Sequence, residues 1–511
     1  MPKKNSFQPK LPLALILTLA IILGACVRPA DSDIEPWQPD AGALTLVPAS
    51  ANENPYTTRP SGDPIHTPTP DAPHPLPGLR TAAEQYIVQS GDTLGQIAER
   101  YSVTVAGIAE ASNIANVNIL EVGQELTIPV PEPAVTGPGF KIIPDSELVA
   151  GPVTAYFDAA DFVYSQNGYL VRYQEEVDGQ ALSGYQIVQR VAQDYSVNPR
   201  LLLAVLEYQS GWVTNANPRT STLKYPLGWQ DSLQEGLYKQ LAWAANTINR
   251  GYYLWRANAV AAWVLTDGAT VPVNPTINAG TAGMQHFFAQ LYGRQIWEKT
   301  VTEEGIFAVY NDLFGYPFDY AYEPVLPPHL AQPAMQLPFE LGIEWAFTGG
   351  PHGGWGSGSG WAGLDFAPYT DTPLGCTIND AWVVAVADGL IVRAENGAVV
   401  QDLDSDGREQ TGWTVLFMHI EARDRVQVGT HLRAGERIGH PSCEGGFSDG
   451  THVHIARRYN GEWIPADQSI PFVLDGWTST GAGLEYDGFL QKGAISIEAW
   501  NGSTPENAIH R

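Results

Sequence analysis

The sequence predicts a multidomain chain: a small βααβ module, a mainly α-helical middle domain and an all-β antiparallel domain. Three observations carry this expectation. Residues 86–129 fit a strand, a turn, two helical periods and a second strand into one short patterned stretch. Residues 150–325 repeat apolar side chains at helical spacing. Residues 337–475 break into short apolar runs rich in glycine, the pattern of an all-β domain. At 511 residues the chain is too long for one ordinary core.

Composition bounds the function. Apolar residues make up 44% and aromatic residues 10%, enough for buried cores. Net charge is −27, from 55 acidic and 28 basic residues, which argues against nucleic acid as a partner because phosphate binding needs basic patches. The acidic excess reads as a solvated surface.

Lys3, Lys4 and Lys10 precede an apolar run from Leu11 to Leu23, interrupted by Pro12 and Thr18. The run is shorter than the roughly 20 residues of a membrane span and suits a signal sequence. It ends in Leu23-Gly24-Ala25-Cys26, which resembles the bacterial lipobox. That resemblance implies that residues 1–26 are a lipoprotein signal peptide, that Cys26 carries the lipid, and that the mature chain is membrane-anchored outside the cytoplasm. In an oxidising compartment the two other cysteines, Cys376 and Cys443, suggest a disulfide. Residues 27–84, rich in proline, read as a disordered tether.

Within 85–130, Tyr86-Ile87-Val88 reads as a strand and Ser90-Gly91-Asp92-Thr93-Leu94 as a turn into a helix bearing Ile97, Ala98 and Tyr101. Val105, Ile108 and Ala109 mark a second helix, and Leu126 with Ile128-Pro129 a closing strand. These residues resemble the LysM domain. The resemblance implies binding to N-acetylglucosamine-containing glycan such as peptidoglycan, in a groove at Gly91, Asp92, Thr93 and Leu94.

Residues 131–149 read as a linker and 150–330 as the helical domain. Asn198-Pro199 is a helix start. The stretch from Arg200 to Trp212 resembles the catalytic helix of lysozyme-like transglycosylases, which ends in Glu-Ser-Gly-aromatic, but Gln209 holds the glutamate position. An amide cannot protonate a glycosidic oxygen. Glu207 lies roughly 200° around the helix and faces elsewhere. The expectation is a degenerate, inactive lysozyme-like domain. Trp212, Trp229, Trp243 and Trp255 are read as core rather than as sugar platforms.

The chemistry concentrates in 337–475. Thr451-His452-Val453-His454 places two imidazoles on one face of a strand. His352 precedes a Gly/Ser segment, Asp365 follows it in Leu364-Asp365-Phe366, and His419 ends the apolar run Val415–Met418. Two histidines, one carboxylate and an open fourth position make a catalytic zinc donor set. A flexible linker is the plainer reading of 353–360.

These five positions resemble the zinc metallopeptidases of the lysostaphin and staphylolysin family. Most members space the first pair as His-x-x-x-Asp, whereas here Trp361 stands four before Asp365. The 13-residue step from His352 to Asp365 fits the staphylolysin branch. Cys443-Glu444-Gly445-Gly446 and Tyr459-Asn460-Gly461 fit it too. The resemblance implies one zinc ion on His352, Asp365 and His454. It makes His452 and His419 proton-handling histidines, and peptide bonds of peptidoglycan the substrate.

Asp402-Leu403-Asp404-Ser405-Asp406-Gly407 opens like a calcium loop, but Trp413 holds the twelfth position. Two readings stay open: a calcium site completed by Glu409, or an Asp/Gly-rich hairpin turn. His431 and His440 are read as surface or loop residues, and 476–511 as a β-extension and tail. The expected function is a tethered cell-wall zinc metalloendopeptidase. Its competitors are a non-catalytic wall-binding protein or amidase activator, and a glycan-cleaving transglycosylase.

Overall fold

The computed structural model describes residues 68–76, 81–89, 92–101, 103–130, 135–369 and 375–511. The signal segment and Cys26 lie outside the described residues, as does Gly91.

The first unit is β1 (Glu84–Ile87), α1 (Leu94–Arg100), α2 (Val105–Ala111) and β2 (Glu125–Ile128), with β1 and β2 antiparallel. Thr93 caps α1: its Oγ1 accepts from Gln96 N, and Gln96 Oε1 accepts from Thr93 N. Leu94, Ile97, Ile108, Leu126 and Ile128 are buried together.

The chain on either side of this unit lies on the helical one. Asp71 N donates to Thr276 O and His74 N to Pro275 O, and the His74 ring stacks on Trp255 at 4.4 Å. Further along, Gly137 N donates to Pro272 O, and Pro138 O accepts from Gln285. The disordered tether expected over 27–84 thus contains a docked stretch at 68–76. The linker expected over 131–149 is, from Gly137 on, part of the helical unit. The backbone finds partners there that periodicity could not reveal.

The helical unit runs α3 (Ala159–Gln166), the hairpin β3 (Gln174–Val177) and β4 (Gln180–Ser183), α4 (Gly184–Tyr195), α5 (Pro199–Ser210) and α6 (Leu237–Arg256). It continues with the hairpin β5 (Ala262–Val264) and β6 (Thr270–Pro272), α7 (Ala279–Ala289), α8 (Arg294–Thr300) and α9 (Ile306–Phe314). Asn198 caps α5 through Arg200 N, with Pro199 in the first turn. Trp212 and Trp255 are buried, and Trp229 stacks on Trp243 at 4.8 Å.

The third unit is built on β7 (Glu344–His352), β8 (Gly363–Pro368), β9 (Val383–Val384), β10 (Gly389–Glu395), β11 (Ala398–Asp402) and β12 (Trp413–Met418). Then come β13 (His431–Leu432), β14 (Arg437–Gly439), β15 (Val453–Tyr459), β16 (Glu462–Trp463) and β17 (Val473–Leu474). The last strands are β18 (Trp477–Gly481), β19 (Gly488–Lys492), β20 (Ile495–Glu498) and β21 (Ala508–His510). The main antiparallel sheet has the order β13-β10-β11-β12-β15-β8-β7-β21, with β16 paired to β15. The C-terminal residues 476–511 are integral: β18, β19 and β20 form a second sheet with β17, and β21 closes the edge of β7.

Side chains alternate across a strand, so the main sheet has two faces. Phe347, Leu364, Phe366, Val415, Phe417, Val453 and Ile455 fill the domain's own core. Val400, Leu416, Met418 and Ala456 instead join the core of the helical unit. His454 shares its face with Ala456, so the candidate site opens where the helical cover ends. Buried charges also cross this boundary. Arg393 Nη1 meets Asp194 Oδ1 at 2.6 Å, and Arg256 Nη2 meets Glu462 Oε1 at 3.0 Å.

Candidate metal centre

Strand register brings the donors together. Asp365 of β8 pairs directly with His454 of β15, and β7 runs beside β8 to deliver His352 at its end. His352 Nε2 lies 2.8 Å from His454 Nδ1 and 3.3 Å from Asp365 Oδ1, and His454 Nδ1 lies 3.1 Å from Asp365 Oδ1. All three residues are buried.

Hydrogen bonds on the far side of each ring settle which nitrogens are bare. His352 Nδ1 donates to Gly350 O at 2.7 Å, and His454 Nε2 donates to Gly354 O at 3.1 Å. A carbonyl oxygen only accepts, so the protons sit on those nitrogens and the lone pairs of His352 Nε2 and His454 Nδ1 face each other. Two lone pairs and a carboxylate oxygen in mutual contact repel unless a cation lies among them. Ligands at about 2.0–2.1 Å from a tetrahedral zinc sit about 3.3 Å apart, close to the spacing here. The residues fit a zinc ion.

Burial opposes ionisation of Asp365, but His352 and His452 outweigh it and hold the carboxyl well below the usual range. Burial likewise pulls His352 down, and Asp365 beside it raises it above its ordinary value. Burial lowers His454, with neighbouring His352 and His452 adding to it against the pull of Asp365.

The other two histidines stand next to this triad. His452 Nε2 is 3.8 Å from Asp365 Oδ1, and the His419 and His452 rings are 4.4 Å apart. His419 follows β12 with a left-handed backbone, φ 63°. Its Nδ1 donates to Glu444 O, and His452 Nδ1 donates to Gly450 O. Ser442 ties the two together: its N donates to His419 O and its O accepts from His452 N. Burial, with His452 and His454 nearby, pushes His419 down to about 3. Cys376 and Cys443 are joined by a disulfide, Cα atoms 5.8 Å apart, beside this segment.

The five residues open on a groove of about 1430 Å³. One wall comes from the helical unit, through Arg190, Tyr195 and Tyr238, and another from loops 375–379 and 444–452. Sequence reasoning missed Tyr486, whose ring stacks on His352 at 4.2 Å, and Glu485, which accepts from Gly353 N. Both sit in the extension after residue 475, where a turn-like Glu-Tyr-Asp-Gly gives no hint of the site. The carbonyls of Gly350 and Gly354 have no side-chain signature at all.

Other expected residues lie elsewhere. Leu94 is core, Thr93 caps α1, and Asp92 accepts from Tyr86 OH and Gln89 N, so these three serve the fold of the first unit. Asp402, Asp404 and Asp406 do converge, their oxygens within 4.8 Å. Asp402 accepts from Asp404 N and Gly407 N, Asp404 from Asp406 N, and Asp406 from Arg408 N, the bonds of a hairpin turn. Glu409 is buried against Arg393 and Arg458 and does not complete a calcium loop. His440 is buried rather than exposed, its ring 3.9 Å from Trp382. Gln209 accepts from Tyr292 OH, and Glu207 holds Val213 N and Thr214 N at the end of α5.

Three family models match this chain. The peptidase family M23 model matches residues 359–466, the LasA N-terminal domain model 141–327 and the LysM domain model 86–129. The chain carries these three domains, and the LasA N-terminal match is more specific for the helical unit than the lysozyme-like likeness of one helix. The M23 match begins at Ser359, near the end of the Gly/Ser segment, so His352 lies outside it.

Protease LasA of Pseudomonas aeruginosa is 27% identical over 293 residues, which cover 53% of this chain and 65% of LasA. The chain thus spans 65% of the length of that relative. N-acetylmuramoyl-L-alanine amidase XlyA of Bacillus subtilis is 42% identical over 52 residues, 10% of this chain and 18% of XlyA. Among solved structures, the M23 metalloprotease pseudoalterin from the deep sea is 23% identical. It covers 35% of this chain and 100% of its own, with a TM-score of 0.28.

Proposed function

We propose that this chain is a zinc metalloendopeptidase that hydrolyses peptide bonds in peptidoglycan stem peptides or cross-bridges, held on glycan by its LysM domain. The observation that carries the reading is the buried triad of His352 Nε2, His454 Nδ1 and Asp365 Oδ1, within 2.8–3.3 Å of one another. Zinc held there would lower the pKa of water and polarise a scissile carbonyl.

The chain's own residues supply the rest. Gly350 O and Gly354 O orient the two ligand imidazoles. His452 and His419 each donate Nδ1–H to a carbonyl, which leaves Nε2 of each as the proton-accepting atom. One takes the proton of the attacking water and passes it to the leaving amine. A protonated ring beside the reacting carbonyl also offsets the charge developing on its oxygen.

The N-terminal lipobox supports a second part of the reading: a lipoprotein held to a membrane through Cys26, with the groove outside the cytoplasm. Among the described residues no helix is long and apolar enough to cross a membrane. Loss of membrane partitioning in Cys26→Ser would support the anchor; unchanged partitioning would refute it.

The test of the activity is digestion of purified peptidoglycan by the full chain and by His454→Ala. New amino groups that disappear in the variant support the peptidase. New reducing ends would point to glycan cleavage instead, and no new ends to a wall-binding protein.

A further inference from the structure

We propose that Asn246, on α6 of the helical unit, is a positioning residue for the metal centre, acting through the Gly/Ser segment 353–360 on His454. This rests on the reading of His352, Asp365 and His454 as a metal site.

A flexible linker is the plainer reading of the segment's composition, yet most of it is buried. It closes on itself: Gly354 N donates to Gly360 O at 3.0 Å, Trp355 N to Ser359 Oγ at 2.9 Å, and Ser359 Oγ to Gly356 O at 3.0 Å. It then lies against α6. Asn246 Oδ1 accepts from Gly358 N at 2.8 Å, and Asn246 Nδ2 donates to Ser357 Oγ at 3.2 Å. One amide side chain therefore holds both a backbone and a hydroxyl group of the segment.

The approach explains the composition. A Cβ on residue 358 would stand 1.9 Å from the backbone oxygen of Asn246, so only glycine allows this contact. At the other end of the closed segment, Gly354 O accepts the Nε2–H of His454 at 3.1 Å. That bond selects the tautomer that leaves Nδ1 bare toward the other donors. The path is short: Asn246 to Ser357 and Gly358, through the internal bonds to Gly354, and from its carbonyl to the ligand ring. Residues 353–358 fall between the two matched stretches 141–327 and 359–466.

The experiment measures zinc affinity of the full chain by chelator competition, together with the visible spectrum of the cobalt-loaded form. It compares wild type, Asn246→Leu and Gly358→Ala, with thermal unfolding of each metal-free protein as the control for folding. Disturbing the support of a ligand imidazole lowers metal affinity by about 10- to 100-fold. The expected result is a weakening of about 10-fold in both variants, with shifted cobalt bands. Each metal-free variant should still unfold in one cooperative transition, at a lower temperature for Gly358→Ala because its Cβ must push the segment off the α6 backbone.

Zinc affinity within about twofold of wild type and an unchanged cobalt spectrum in both variants would overturn the proposal. Should Asn246→Leu fail to fold, Ser357→Ala replaces it. That variant removes only one hydroxyl, and an unchanged affinity and spectrum there count equally against the idea. Failure of the wild type to bind zinc or cobalt would instead sink the metal site itself.

Discussion

Asp365 and His454 face each other across β8 and β15 as a directly opposed residue pair, Oδ1 to Nδ1 at 3.1 Å. Two donors of the triad are therefore set by ladder register, which holds their backbones more firmly than loops would. Only His352 comes from a strand end, where the Gly350 carbonyl and the Tyr486 ring steady it.

The two histidines of Thr451-His452-Val453-His454 should separate by function. His454→Ala removes a donor, and bound zinc should fall to background in metal analysis of the purified protein. His452→Ala keeps the triad, so it should retain zinc while peptidoglycan turnover drops by about 10²- to 10⁴-fold, the range for a lost proton-transfer group. Loss of zinc in His452→Ala would reverse the assignment.

Gly363 lies behind the donors. A Cβ there would stand 2.2 Å from His454 Cε1 and 3.1 Å from His352 Nε2. Gly363→Ala should displace both rings and weaken zinc binding by about 10- to 100-fold. Chelator competition measures it, and wild-type affinity would show that the rings yield without losing the ion.

The Cys376–Cys443 bridge joins two loops of the groove across a sequence separation of 67. Cys443 adjoins Ser442, which bonds His419, and Glu444, whose carbonyl orients His419. The paired Cys376→Ser, Cys443→Ser variant should lose about 2–4 kcal/mol in denaturant unfolding. Its turnover should fall more than its zinc content. Unchanged stability would mean that the bridge constrains neither loop.

Glu462 gives a pH dependence away from the metal. Burial pushes its carboxyl up to about 7 even though Arg256 pulls it down. The folded state then holds this proton more tightly than the unfolded chain, whose value is near the ordinary 4.5. The associated stability is full below about pH 4.5 and is lost as pH rises toward 7. Urea midpoints across that window should decline in the wild type and decline less in Glu462→Gln. Parallel profiles would rule out this carboxyl as the source.

The peptidase strands were legible because chemistry and periodicity coincide in them. Val453 and Ile455 alternate with His452 and His454, and Asp365 alternates with Leu364 and Phe366. Helix α5 was legible from Asn198-Pro199. The Gly/Ser segment stayed ambiguous because glycine-rich composition signals flexibility as readily as close approach, and only the position of α6 separates the two. Val400, Leu416, Met418 and Ala456 are apolar on the face that a one-sided sheet turns to water. That pattern is compatible with a covered face, and the helical unit supplies the cover. His440 and the stretch 68–76 show the same limit, since their partners are distant in sequence.

The chain last touches the helical unit at Leu76 before the LysM strands and first touches it again at Gly137 after them, while the strands themselves begin at Glu84 and end at Ile128. From Leu76 to Glu84 is eight peptide steps and from Ile128 to Gly137 is nine, so neither crossing can span more than about 32 Å. A glycan strand gripped by this module would be kept within that reach of the groove and so at a raised local concentration there. Sampling would be confined to peptides a few nanometres from the gripped sugar. Such a chain would cut in patches around each landing point, rather than evenly along the wall.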